Sequence, residues 1–208
     1  MTERKNTRTE DESFDMVMSI HGKKLKKKMD ILKNISEGEF VDSVNQKPMI
    51  EELIDSFPGD VDRALFVGCG DGTELGVAKN RGIDAIGIQV NKEETKHIRE
   101  KGYTAYTMDM HDLSFFDEGE FDLVFYKDTF KQSPMPIVAF VEAATITNKY
   151  IMISEPDKKW RDRARNFTIL TKDQLEGMAI KCKCQMSQHW VTELPYVKQR
   201  HFLFEKLV

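Results

Sequence analysis

The β-prone run Leu65-Phe66-Val67 ends in Gly68-Cys69-Gly70-Asp71-Gly72 and passes directly into a helix-prone segment that opens Thr73-Glu74-Leu75. A strand that turns at glycines into a helix presents backbone N–H groups together with the positive end of the helix dipole. Such a place suits an anionic group, a phosphate or a carboxylate. Glycine belongs there because a side chain would block close approach, or because the turn needs positive φ. Asp71 is placed to cap the helix, with Glu74 three residues on to complete a capping box. The loop predicts small-molecule binding, and the rest of the chain must say which molecule.

Downstream, strand and helix patterns alternate. Strands are predicted over 63–67, 84–89, 103–108, 121–126 and 150–154, with helices over 73–80, 92–101, 137–147 and 170–180, the last capped by Thr171. Phe121 to Tyr126 is an apolar run of the kind found in a buried parallel strand. Two further strands, 184–191 and 201–207, are joined by a loop at Glu193-Leu194-Pro195, which suggests an antiparallel edge. Short connections and regular alternation predict an α/β fold: a Rossmann-like, doubly wound sheet, mostly parallel, with helices on both faces. In such sheets ligands sit outside the carboxyl ends of the strands, where strand order reverses.

Upstream, residues 1–12 are charged and nearly free of apolar side chains, so a loose tail is expected. Phe14, Val17, Met18, His21, Leu25, Met29 and Leu32 then mark one face of a helix whose other face carries Lys23, Lys24, Lys26, Lys27 and Lys28. A second helix is expected over 47–56, ended by Pro58-Gly59-Asp60. The expected division is a tail (1–12), an N-terminal helical segment (13–60) and an α/β domain (61–208). A formal net charge of −4 over 208 residues gives no overall field to recruit nucleic acid or a membrane. Three cysteines, with Cys182-Lys183-Cys184 too close for a zinc half-site, predict a reducing compartment and no metal. The charged N-terminus and the lack of a long apolar run predict a soluble, cytoplasmic protein.

Two ligands compete for the loop. A dinucleotide fingerprint wants glycine at the first, third and sixth positions, and the sixth here is Thr73. The spacing Gly68-x-Gly70-x-Gly72 instead resembles the first motif of class I S-adenosylmethionine-dependent methyltransferases. Met108-Asp109-Met110-His111-Asp112-Leu113 resembles their third-strand motif, and Glu120-Phe121-Asp122-Leu123-Val124 their fourth-strand entry. Asp128-Thr129-Phe130-Lys131-Gln132, with Pro136 and Glu142, has the form of the segment that follows, and Phe167 to Thr171 resembles a late segment. The resemblance runs from about Arg63 to the C-terminus.

It implies S-adenosyl-L-methionine as cofactor. The methionine carboxylate would lie on Gly68, Cys69, Gly70, Asp71 and Gly72, the ribose near Gln89 and Val90, and the adenine near Asp109 and Met110, with Tyr126 lining the pocket. The sequence departs from the family's pattern at Phe66 and Gln89, where acidic residues are usual, at Gln132 for a histidine, and at Asn148-Lys149 for a Pro-Gly-Gly turn. Asp128 and His111 are the candidate catalytic residues, should the acceptor need to lose a proton. Trp160 and Arg161, in the basic run 158–165, are expected on the acceptor side, which suggests an anionic small molecule. Two other readings stand beside this one. One is a catalytically degenerate binding or scaffold protein using the lysine-rich helix. The other is an RNA or DNA methyltransferase, disfavoured by the lack of amino-methylating and C5-cytosine motifs. Oligomeric state is not legible.

Overall fold

The structure is a computed structural model and describes residues 43–157, 168–193 and 198–207. The expected tail, the lysine-rich helix, Trp160, Arg161 and most of the last turn lie outside the described residues. In chain order the elements are α1 (Ser43–Asp55), β1 (Arg63–Val67), α2 (Thr73–Asn80), β2 (Asp84–Gln89), α3 (Lys92–Glu100), β3 (Thr104–Thr107), β4 (Phe121–Lys127), a 3-10 turn (Phe130–Gln132), α4 (Pro136–Ile146), β5 (Thr147–Pro156), α5 (Lys172–Lys181), β6 (Cys184–Glu193) and β7 (Lys198–Lys206).

The strands form one sheet in the order β3-β2-β1-β4-β5-β7-β6. The first five are parallel, and β7 runs antiparallel to both β5 and β6. This is the expected fold, with strand order reversing between β1 and β4. The period-2 geometry of strands sends alternate residues to opposite faces. Leu65, Val67, Val124, Tyr126, Ile151, Ile153, Phe202 and Phe204 join the core under α4 and α5. Ala64, Phe66, Leu123, Phe125, Met152 and Leu203 join the core under α1, α2 and α3. Ile50, Leu53 and Ile54 of α1 belong to that second core, so α1 packs as part of the α/β unit. Phe66 and Phe125 meet edge to face at 5.5 Å, with Phe57 against Phe125 at 5.3 Å.

Two local expectations are corrected. Glu74 closes no capping box: Gly72 is the N-cap of α2, at φ 82°, without a side-chain cap bond. Asp71 instead accepts from the Thr73 amide at 3.1 Å and the Thr73 hydroxyl at 2.8 Å, satisfying the first turn one residue later. The second concerns β5, which begins directly at the end of α4. Thr147 is fully buried, and its hydroxyl lies 3.2 Å from the carbonyls of Phe121 and Asp122 and 3.0 Å from that of Tyr150. With no glycine or proline to form a turn, Asn148 and Lys149 are already strand. Elsewhere Thr171 caps α5 as expected, and Gln174 completes a capping box.

One close packing fixes β2 beneath the glycine loop. A Cβ on Gly87 would stand 2.5 Å from the Cys69 sulfur and 2.9 Å from Leu75 Cδ1. Gly87→Ala is therefore expected to cost about 1–3 kcal/mol in denaturant unfolding, as overpacked cores do. Adding Cys69→Ala should recover part of that loss, since it removes the nearest atom.

Candidate functional site

The glycine loop, Gln89, Asp109 and Asp128 all follow the carboxyl ends of parallel strands and so gather at one end of the sheet, around the point where its order reverses. Gly68, Gly70 and Gly72 have φ of 70°, 51° and 82°, the left-handed region that favours glycine. Thr129 stands against Gly68 where a side chain would be, whereas Gly70 has open space there. The amides of Gly68 and Cys69 both donate to the Ile88 carbonyl, at 2.8 and 3.3 Å, and that of Gly72 donates to the Cys69 carbonyl at 2.8 Å. Three of the five amides in the expected cradle are therefore engaged within the fold. The Gly70 amide donates to no backbone carbonyl among the described residues.

The side chains of Cys69 and Tyr126, two residues expected at the cofactor, lie in the core. The Cys69 side chain is buried and its thiol points to the Ile88 carbonyl at 3.6 Å; burial pushes its titration far up, so it is inert. Tyr126 is fully buried, with its hydroxyl donating to the Ala139 carbonyl of α4 at 3.1 Å and its ring 5.1 Å from Phe130. Its place in the alternation of β4 sends it under α4. Met110 likewise packs into the core with Met108 and Leu113, which leaves its backbone for any ligand.

At the end of β2, the Gln89 carboxamide oxygen accepts from the Val90 amide at 2.8 Å. The side-chain NH2 makes no hydrogen bond to a described residue. At the end of β3, Asp109 Oδ1 accepts from the His111 amide at 2.9 Å and lies 2.5 Å from His111 Nδ1. His111 Nε2 is 2.7 Å from the Ser133 hydroxyl. The His111 side chain is 3 % exposed and both ring nitrogens are engaged, so it cannot serve as the expected base.

At the end of β4 lies a knot of charge that the sequence did not reveal. Asp128, at φ 56°, is 3.1 Å from Lys127 Nζ and 3.0 Å from Lys131 Nζ, and Gln199 Nε2 donates to it at 3.2 Å. Burial works against the Asp128 charge, but Lys127, Lys131 and Gln199 outweigh it and hold the carboxyl well below its ordinary range. An aspartate so stabilised is a weak proton acceptor, and its expected role as a base loses its chemistry. Glu74 lies 3.9 Å from Lys127 Nζ, bringing a carboxylate to the site although Phe66 has taken the usual acidic position. Phe66 faces the α1–α3 core, where a carboxylate would be stranded.

Glu155, at the end of β5, is fully buried and accepts from the Lys131 amide. Burial pushes its carboxyl up to about 8, with Asp128 reinforcing the shift and Lys131 and Arg200 opposing it. Neighbouring His201 is pushed down to about 4, chiefly by burial, and is neutral. Lys131 lies in the motif segment after β4, but neither Lys127 nor Gln199 carries a motif signal. Only their convergence at the strand ends marks them.

A strand order of 3-2-1-4-5-7-6 with an antiparallel seventh strand, and a glycine loop at the switch point, defines the class I methyltransferase fold. Within that class, the chain belongs to the family described as methionine biosynthesis protein MetW, whose profile matches residues 47–177. No curated protein matches it. Among solved structures it is similar to the magnesium protoporphyrin IX methyltransferase of Synechocystis with bound SAH, at 13% identity and TM-score 0.65 over 93% of this chain and 99% of that one. It is also similar to a SAM-dependent methyltransferase from Methanosarcina mazei, at 16% identity and TM-score 0.64 over 75% and 97%. The cyclase SpnF shares the fold too, at 16% identity and TM-score 0.63 over 77% and 80%.

Glu155 gives a pH signature. Its folded value exceeds the ordinary 4.5, so between there and about 8 the folded protein keeps a proton that the unfolded chain releases. By linkage this contribution falls as pH rises through that window. His201 acts in the opposite direction below its ordinary value of 6.5. The informative quantity is therefore the difference between wild type and Glu155→Gln. Chemical denaturation from about pH 5 to about pH 8 should show wild type losing stability relative to the variant.

Proposed function

We propose that this chain is an S-adenosylmethionine-dependent methyltransferase of the cytoplasm, acting on a small, anionic acceptor. The observation that carries the reading is the set of vacated positions at three strand ends. Gly70 leaves open space, Gln89 offers its NH2, and Asp109 keeps an oxygen, Oδ2, that bonds no described residue. The residues present fit the cofactor's parts. The loop at Gly70 would receive its carboxylate, Gln89 its ribose, and Asp109 with the Met110 backbone its adenine. When bound, the cofactor supplies a methyl group on a positively charged sulfur, an electrophile that needs an aligned lone pair.

The charge knot bears on the acceptor. With Asp128 ion-paired and Glu155 protonated at neutral pH, the described residues offer no strong base. An acceptor that already presents a lone pair, such as a carboxylate, needs none. Lys127 and Lys131 are already paired with Asp128, and Lys127 also lies 3.9 Å from Glu74, so the charge to hold such an acceptor would come from Lys158, Lys159, Arg161, Arg163 and Arg165, which flank Trp160 in the sequence. A nucleic-acid acceptor is less favoured, given the net charge of −4. The second reading is cofactor binding without turnover, favoured by the same missing base.

Calorimetry with S-adenosylmethionine and S-adenosylhomocysteine tests the proposal. Wild type should bind both, and Gly70→Asp, which puts a carboxylate where the cofactor's own would lie, should lose binding. No heat from wild type at millimolar ligand would overturn the assignment, and binding without methyl transfer to any acceptor would favour the second reading. A companion prediction concerns Gln89. A charged acceptor bonds more strongly than a neutral group. Gln89→Glu should therefore tighten S-adenosylhomocysteine about tenfold, or roughly 1.4 kcal/mol.

A further inference from the structure

The turns after β3 and β4 are joined by a chain of polar side chains, of which the chemistry above uses only Asp109. Asp109, His111 and Ser133 form it, and all are buried. The sheet order β3-β2-β1-β4 sets two strands between those that carry its ends. The chain therefore couples two loops that no backbone ladder connects.

The direction of each hydrogen bond follows from chemistry. A carboxylate only accepts, so the proton on the 2.5 Å contact belongs to His111 Nδ1, which donates to Asp109 Oδ1. In the neutral ring Nε2 then accepts from the Ser133 hydroxyl at 2.7 Å. The Ser133 oxygen in turn accepts from the Met135 amide at 3.1 Å, which anchors the far end on backbone at the start of α4. The order Ser–His–Asp resembles that of a hydrolase, but Ser133 is fully buried and its oxygen is committed to Met135, so it offers no nucleophile.

Both bonds to Asp109 fall on Oδ1. A carboxylate pinned at one oxygen by a backbone amide and a ring N–H cannot rotate, and its second oxygen holds one direction. The Asp109 side chain keeps 6 % of its surface accessible, twice that of His111. We propose that His111 is a positioning residue: tethered by Ser133, it fixes Asp109 so that Oδ2 reads the exocyclic amine of an adenine nucleoside. This rests on the S-adenosylmethionine reading above and deepens it. It assigns base selectivity to a residue that touches no ligand.

The test is a ratio. Calorimetry gives the affinities of S-adenosylhomocysteine and S-inosylhomocysteine, which carries an oxo group in place of the amine. Misfolding or a general loosening lowers both affinities together and leaves their ratio unchanged, whereas a misaligned Asp109 lowers the ratio itself. Wild type should prefer the adenine form. His111→Phe, which keeps the ring and loses both nitrogens, should reduce that preference about tenfold. His111→Asn, whose amide N–H can replace Nδ1, should restore part of it. Ser133→Ala, which keeps the Asp109–His111 contact and frees the ring, should reduce it less, and it carries the test if His111→Phe does not fold. An unchanged ratio in the variants overturns the proposal while leaving the cofactor reading intact, and so does a wild type with no preference. A wild type that binds neither nucleoside overturns both.

Discussion

A sheet covered on both faces leaves almost nowhere to put polarity, and the chemistry of this protein follows from that constraint. Along β1 and β4, residues of one parity pack under α4 and α5 and those of the other under α1, α2 and α3. No solvent face remains on the central strands. Carboxylates, amides and lysines are therefore displaced to the strand ends, and the parallel direction of the first five strands collects their carboxyl ends together. Phe66 and Tyr126 show the constraint from within. Each lies close to the site along the chain, yet each is directed into a core by its parity.

The same crowding explains the electrostatics. Three charged groups lie close together at and just after the end of β4, and the two lysines are largely removed from water. Lys127, Asp128 and Lys131 hold one another, with Gln199 arriving from β7. Opposite charges in close contact offset much of the desolvation penalty each would suffer alone. The arrangement stabilises charge and thereby removes reactivity, since a carboxylate favoured as an ion gives little driving force for taking a proton.

The alternation of elements was legible because glycine, proline and period-2 apolar runs mark it directly in the sequence. The β5 boundary was not, because Thr147 ends a helix and begins a strand with no breaking residue between them. The placement of Gly70, Gln89 and Asp109 at the strand ends could be read from motif spacing. The roles of Cys69, Tyr126 and His111 could not, since they depend on which way a side chain points, and that is decided by neighbours distant in sequence: Gly87, Ala139 and Ser133. The ionic contacts of Asp128 show the same limit, because the glutamine that completes them is 71 residues away.

The pairing of Cys69 with Gly87 has a practical consequence. The thiol fills the notch that the missing side chain leaves, directly beneath the loop expected to hold the ligand, and burial keeps it un-ionised. A thiol-specific reagent can reach that sulfur only when the loop lifts from β2. Labelling at Cys69, resolved from that at Cys182 and Cys184, would therefore report any opening of the loop without an added tag.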